Sequence, residues 1–258
     1  MSVLLMTATI NSGYFGNIST TVTDTEIRKK QYEEALVNYI QYSKFDSIVF
    51  AENSNEQLDE QLYQDMADTY GKKIEFLELP GDSNRMNIQG KSYGEAALIL
   101  GAFQNSDLIS NESVVYKVTG RIWVNNINLL INDKYDNCFI AHNFKSWVLT
   151  SFFKITSEDF WSALSSAPEM CNDNMDNSLW CIEHVYYELL KKARYPINRF
   201  RVYPDMRGIN SGSGAMYTKT KKQLLIRNII SLLNLNKYSP TNKFYYPMFT
   251  WLEYMKHR

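Results

Sequence analysis

One segment near the middle of the chain, Val114-Val-Tyr-Lys-Val-Thr-Gly-Arg-Ile-Trp-Val124, restricts the fold more than any other. β-Branched and aromatic residues dominate it, as they do in strands covered on both faces. Yet it carries Lys117, Thr119, Gly120 and Arg121 where a core strand stays apolar. Alternate side chains of a strand share a face, so Lys117, Thr119 and Arg121 are expected on one side. Burying an unpaired cation costs on the order of several kcal/mol. An anion should therefore meet these two, either a carboxylate of the protein or a phosphate of a ligand.

The segments before it alternate. Residues 3–10 form an apolar run that breaks into Asn11-Ser-Gly-Tyr-Phe-Gly16. Thr23-x-x-Glu26 resembles a capping box, and Tyr32, Ala35, Leu36, Tyr39 and Ile40 then recur at helical spacing. Residues 46–52 read as a second strand, Leu58, Leu62 and Met66 as the face of a second helix, residues 74–79 as a third strand, and residues 95–104 as a third helix. This β-α-β-α-β-α-β order predicts a parallel, Rossmann-like sheet. Ligands of such sheets sit beyond the carboxyl ends of the strands, where Thr7, Ala8, Thr9, Glu52, Asn53, Thr119, Gly120 and Arg121 would gather.

After residue 135 the rhythm shortens. Residues 138–144 and 147–155 read as aromatic strands, 157–164 as a helix, 167–177 as a polar loop, 179–192 as a helix and 199–203 as a strand. The last helix, 219–234, puts Leu225, Ile229, Leu232 and Leu233 on one face, and an aromatic tail from Phe244 ends in Lys256, His257 and Arg258. The domain reading is a body over 1–217, divided at 135, followed by an extension over 218–258.

A net charge of -1 gives no general attraction to nucleic acid or membrane, so any such contact must be local. Three cysteines, Cys138, Cys171 and Cys181, without paired close spacing, argue against a disulfide framework and a zinc site, and so for a reducing, cytoplasmic setting. No run reaches the roughly 18 to 20 apolar residues of a membrane span. The tail's aromatic and basic residues suit a membrane surface, docking on the body, or oligomerisation.

The dinucleotide fingerprint, the P-loop and the Gly-x-Ser-x-Gly elbow are absent. Asp173-x-x-Asp176 reads as a solvated loop rather than a metal site. Gln89-Gly-Lys-Ser-Tyr-Gly-Glu95 places two glycines and Lys91 at a helix start, where backbone N–H groups can approach an anion; the alternative is a helix N-terminus with a surface lysine. Arg207-Gly-Ile-Asn-Ser-Gly-Ser-Gly214 is a second loop of small and hydroxyl residues.

Taken in order, Gly90-Lys-Ser-Tyr-Gly-Glu95, Tyr116-Lys-Val-Thr-Gly-Arg121, and Tyr203-Pro204 with Gly208-Ile-Asn-Ser-Gly-Ser-Gly214 resemble bacterial glycosyltransferases that build capsule, O-antigen, lipopolysaccharide and related surface polysaccharides. Ser92, Ile122 and Asn210 depart from that pattern. The resemblance spans roughly residues 3–217. It implies a GT-A-like Rossmann-type sheet flanked by helices, with a C-terminal helical and aromatic extension. It also implies a nucleotide-sugar donor, with UDP favoured, and a glycan or polyprenyl-linked acceptor at the inner face of the cytoplasmic membrane.

Many GT-A enzymes hold a divalent metal on Asp-x-Asp, which this sequence lacks. Lys117 and Arg121 then stand where they would neutralise the departing diphosphate, unless an ion pair with Glu95 or Glu52 ties them into the fold. Glu52 and Asn53 would meet base or ribose, with Thr7, Ala8, Thr9, Lys91, Glu95, Thr119 and Gly120 completing the donor site. Glu183 is the candidate general base, with His184, Arg207, Asn210, Ser211 and Ser213 on the acceptor side. The alternative is a catalytically inactive nucleotide-binding assembly partner of the same fold.

Overall fold

The computed structural model describes residues 2–16, 20–131, 133–142, 146–175, 180–210 and 214–233. Its strands are β1 (Ser2–Ala8), β2 (Ser47–Glu52), β3 (Lys73–Glu78), β4 (Val114–Thr119), β5 (Trp123–Val124), β6 (Cys138–His142), β7 (Trp147–Thr156) and β8 (Met206–Arg207). Six of them form one sheet in the order β3-β2-β1-β4-β7-β6. The first four are mutually parallel, with β1 between β2 and β4, as the alternating pattern predicts. The sheet is mixed overall, because β7 runs antiparallel to β4 and β6 antiparallel to β7. Among the described residues of 138–156 no crossover helix intervenes, and β6 and β7 pair antiparallel as a hairpin. The mixed α/β class with helices on both faces stands.

The helices that cover the sheet begin with α1 (Thr25–Tyr42), α2 (Glu60–Thr69), α3 (Ser83–Gln89), α4 (Lys91–Asn105) and the short α5 (Ile127–Leu130). After the hairpin come α6 (Ser157–Asp159), α7 (Ala167–Met170), α8 (Ile182–Lys192) and α9 (Lys221–Leu232). Alternation along β1 divides the core. Val3 and Leu5 join a cluster with α4, α7 and α8, while Leu4, Met6 and Ala8 join one with α1 and α2. Both faces of the central strands are buried, hence their continuous apolar runs.

Several expectations are corrected. The cap of α1 is Asp24, which accepts from Ile27 N, because the helix starts two residues beyond Thr23. The polar stretch after residue 166 begins with α7, started by Pro168 in its first turn, while Asp176 and Asn177 lie outside the described residues. Residues 199–203 form no strand; the pairing falls instead on β8 with β5. Helix α9 forms with a full capping box on Thr220 and Gln223. Its apolar residues Leu225, Ile229 and Leu232, with Leu233 just beyond, are exposed rather than packed among the described residues. The tail from Phe244 lies outside them. No described helix is long and apolar enough to cross a membrane.

Candidate functional site

The carboxyl ends of β1, β2 and β4 open on a cavity of about 190 Å³. β1 contributes Thr7, Ala8 and, just past its end, Thr9; β2 leads to Asn53; β4 leads to Thr119 and Arg121. Two further walls come from the start of α4, with Lys91, Ser92 and Glu95, and the start of α8, with Ile182 and Glu183. Thr150 and Ser151 of β7, then Asn210 and Tyr217, complete it.

Arg121 lies beyond the last residue of β4, so the period-two relation to Lys117 ends before it. Its place is set by the turn. Gly120 N donates to Thr7 O at 2.8 Å, extending the β1–β4 ladder one residue past the strands. A Cβ on Gly120 would sit 3.0 Å from that same oxygen and 3.1 Å from the Tyr32 ring. Gly208, at φ +135°, lets its own segment pack so closely that a Cβ there would stand 3.0 Å from Arg121 O. Arg121 is 5% exposed, and its hydrogen bond among the described residues is to the neutral Gln31 Oε1 at 3.3 Å. Burial first, and then the Arg28 guanidinium against the phenols of Tyr32 and Tyr217, set its pKa below the usual arginine value. An arginine stays charged even so. The fold thus buries a cation at the cavity with no carboxylate against it among the described residues.

Lys117 is different. It is fully buried, its Nζ pairs with Glu95 and donates to Thr150 O at 2.8 Å, and it does not line the cavity. The anion that meets it is a carboxylate of the protein. Glu95 is one side chain away and does line the cavity.

Other expected site residues are also used internally. Glu52 accepts from Ile10 N at 3.0 Å, Ser54 N at 2.8 Å and Glu56 N at 3.2 Å, and from Ser54 Oγ. Four donors leave its buried carboxylate no capacity for a base or ribose, and it fixes the loops after β1 and β2 instead. The helix start at Gly90-Lys-Ser is occupied as well. Asp173 accepts from Ser92 N at 2.8 Å and from Ser92 Oγ, and its side chain fills the space where a Gly90 Cβ would stand. The expected solvated aspartate is therefore the anion at the N-terminus of α4. His184 does not line the cavity. Arg207 pairs with Asp205 at 2.9 Å, and Ser211 and Ser213 lie outside the described residues. Asn210 does reach the cavity and donates to Tyr217 Oη at 2.7 Å.

Three participants escaped the sequence reading. Arg28, 4% exposed, donates to the carbonyls of Thr9, Ile10 and Val22 and so holds the loop after β1. Tyr32 Oη accepts from Thr9 N at 3.1 Å. Tyr217 Oη shares a hydrogen bond with Ser151 at 2.6 Å. Arg28 sits in a charged helix start and Tyr32 on an apolar helical face, so neither advertises a site. Only the loop-forming composition of residues 11–16 hinted that the β1 end needs such support.

Glu183 stands in the first turn of α8. Burial, then the Glu95 carboxylate, raise its pKa above the ordinary glutamate value, against the lowering effect of its own backbone N–H, Cys181 and Lys91. A carboxyl whose proton affinity is raised inside a cavity takes up a proton more readily than an ordinary glutamate. Among the described residues no three His, Cys, Asp or Glu side chains group as metal ligands.

No family model matches this chain, and no curated protein matches it. Among solved structures it is similar to the galactosyltransferase LgtC, in complex with donor and acceptor sugar analogs, at 10% identity over 73% of this chain and 69% of that one, with a TM-score of 0.43. It is also similar to HddC from Yersinia pseudotuberculosis, at 12% identity over 61% and 78%, with a TM-score of 0.27. At scores this low, neither likeness bears on the chemistry of the cavity.

Proposed function

We propose that the protein is a glycosyltransferase of GT-A-like type, moving a sugar from a nucleotide-sugar donor to a hydroxyl of a glycan or lipid-linked acceptor in bacterial surface-polysaccharide synthesis. The observation that carries this reading is Arg121, a buried guanidinium at the carboxyl edge of a parallel sheet with no carboxylate among the described residues to neutralise it. A phosphate group suits that position by charge and by the planar fork of its donors. The surface-polysaccharide context rests on the motif resemblance.

In this mechanism the donor's diphosphate lies against Arg121, with Lys91 at the cavity rim as a second cation. Lys117 acts one step removed, through Glu95. The acceptor oxygen bonds to the anomeric carbon of the donor sugar as the bond from that carbon to the diphosphate oxygen breaks. The acceptor proton passes to the Glu183 carboxylate, and the diphosphate leaves with the bonding electron pair, its charge stabilised by Arg121.

The test is thermal stabilisation by UDP-, GDP-, CMP- and dTDP-sugars, with manganese and with EDTA, on the parent and on Arg121→Ala. One nucleotide class should stabilise the parent in EDTA, and Arg121→Ala should lose about tenfold to a hundredfold in affinity. Unchanged binding and turnover by Arg121→Ala would overturn the role of Arg121. Binding without any donor turnover would favour the inactive assembly partner.

A further inference from the structure

The cavity at the sheet edge has two walls of unlike charge. Alternation along the strands places α1 on one face of the sheet and α4 and α8 on the other. Arg121 belongs to the α1 wall: it bonds Gln31 of that helix, and Arg28 and Tyr32 line the cavity with it. On the opposite wall stand Glu95 of α4 and Glu183 of α8. Two lysines accompany them without changing what the cavity meets. Lys91, one helical turn before Glu95, is exposed at the rim, and Lys117 is fully buried and does not line the cavity. Glu95 Oε1 accepts from Lys117, and Glu95 Oε2 accepts from none of the described residues. The acidic groups that α4 and α8 bring to the cavity interior are therefore carboxyl oxygens, and an ionised carboxylate only accepts hydrogen bonds.

That division says which sugar can follow the diphosphate. Resting on the donor reading, a diphosphate held by Arg121 and the rim lysine turns its sugar toward the wall across the sheet edge. We infer that Glu95 and Glu183 read the donor sugar, accepting from its hydroxyl or ammonium groups and excluding a sugar that carries a carboxylate. The repulsion behind this already acts between the two residues, since the Glu95 carboxylate, after burial, raises the proton affinity of Glu183. A sugar acid would bring a third negative charge to the same wall. Carboxylate against carboxylate also leaves acceptors facing acceptors with no hydrogen between them. A hydroxyl or an ammonium brings the hydrogen that the wall lacks.

The experiment is calorimetric titration of the full chain with UDP, GDP and dTDP, with the glucose, glucosamine and glucuronate esters of each, and with CMP-N-acetylneuraminate. Within the base class that binds, the glucose and glucosamine esters should bind at least as tightly as the free diphosphate. The glucuronate ester should bind about tenfold or more weakly than the glucose ester, the mark of like charges brought together. Glu95→Gln keeps the size, still accepts from Lys117 and removes the charge, so it should narrow the glucose/glucuronate ratio. Glu183→Gln, which breaks no ion pair among the described residues, should narrow it as well, with unliganded melting temperatures confirming both folds. Equal binding of the glucose and glucuronate esters, preferred binding of CMP-N-acetylneuraminate, or a ratio unmoved in both variants would overturn this inference and leave the glycosyltransferase reading standing. Failure of every ligand to bind would overturn both.

Discussion

Lys117 and Arg121 are four residues apart on one segment and belong to two different electrostatic regimes. Away from Arg121, charges close on the protein: Lys117 on Glu95, Glu52 on four donors, the start of α4 on Asp173. On the cavity wall, Arg121 has only a neutral glutamine among the described residues, and Glu183 faces another carboxylate. The difference teaches that burial of a charge does not by itself mark a site. A buried charge that closes on a protein partner holds the fold, and one left open is where the proposed ligand would have to be looked for.

That contrast can be broken by substitution, since interior changes should cost stability while wall changes should cost activity and spare the fold. The largest effect is expected at Glu183. Glu183→Gln should lower kcat by about a hundredfold or more without weakening nucleotide binding, as measured by initial rates and titration. In the parent, the rate should fall with decreasing pH at a higher pH than an ordinary glutamate would impose, because Glu183 accepts a proton only when ionised. The stability sign is opposite. A carboxyl with a raised native pKa favours the fold below its unfolded value, and that contribution is lost as pH rises through the native value. Glu183→Gln should therefore be more stable than the parent near neutrality and gain nothing in acid, as thermal melts across pH would show.

Next comes Lys117→Met, which strands Glu95 without its cation. Denaturant unfolding should show a loss of about 3 kcal/mol. Arg121→Ala should change stability by less than about 1 kcal/mol, since no ion pair among the described residues is broken. Equal destabilisation by the two would erase the distinction. The smallest effect is at Asp173, where Asp173→Ala removes the cap of α4 at a cost of about 1 kcal/mol in the same assay. A large loss of nucleotide affinity there would mean that the α4 start, Lys91 included, is positioned by Asp173 more than Arg121 is by its turn.

The parallel half of the sheet was legible because each strand ran apolar between helical patterns, and Arg121, Asn53, Glu95 and Glu183 could be named from their places at element ends. Residues 138–156 gave strands but not their direction, since an antiparallel return has no sequence period of its own. Roles that depend on distant partners stayed hidden. Nothing near Asp173 announces Ser92, 81 residues away, and nothing near Glu52 announces that Ile10 N and Glu56 N will claim its oxygens. The exposed face of α9 shows that helical periodicity reports a face without saying what covers it.

Gly120 has a consequence for how such a protein diversifies. Its missing side chain lets Arg121 follow directly on the β1–β4 ladder, so the height of that charge above the sheet is a property of the backbone. Variation can replace the guanidinium or reshape the cavity wall around it by single side-chain changes. It cannot move the charge without first reopening the space that Thr7 O and the Tyr32 ring already fill. The lineage of such a site is free in chemistry and bound in geometry by one hydrogen atom.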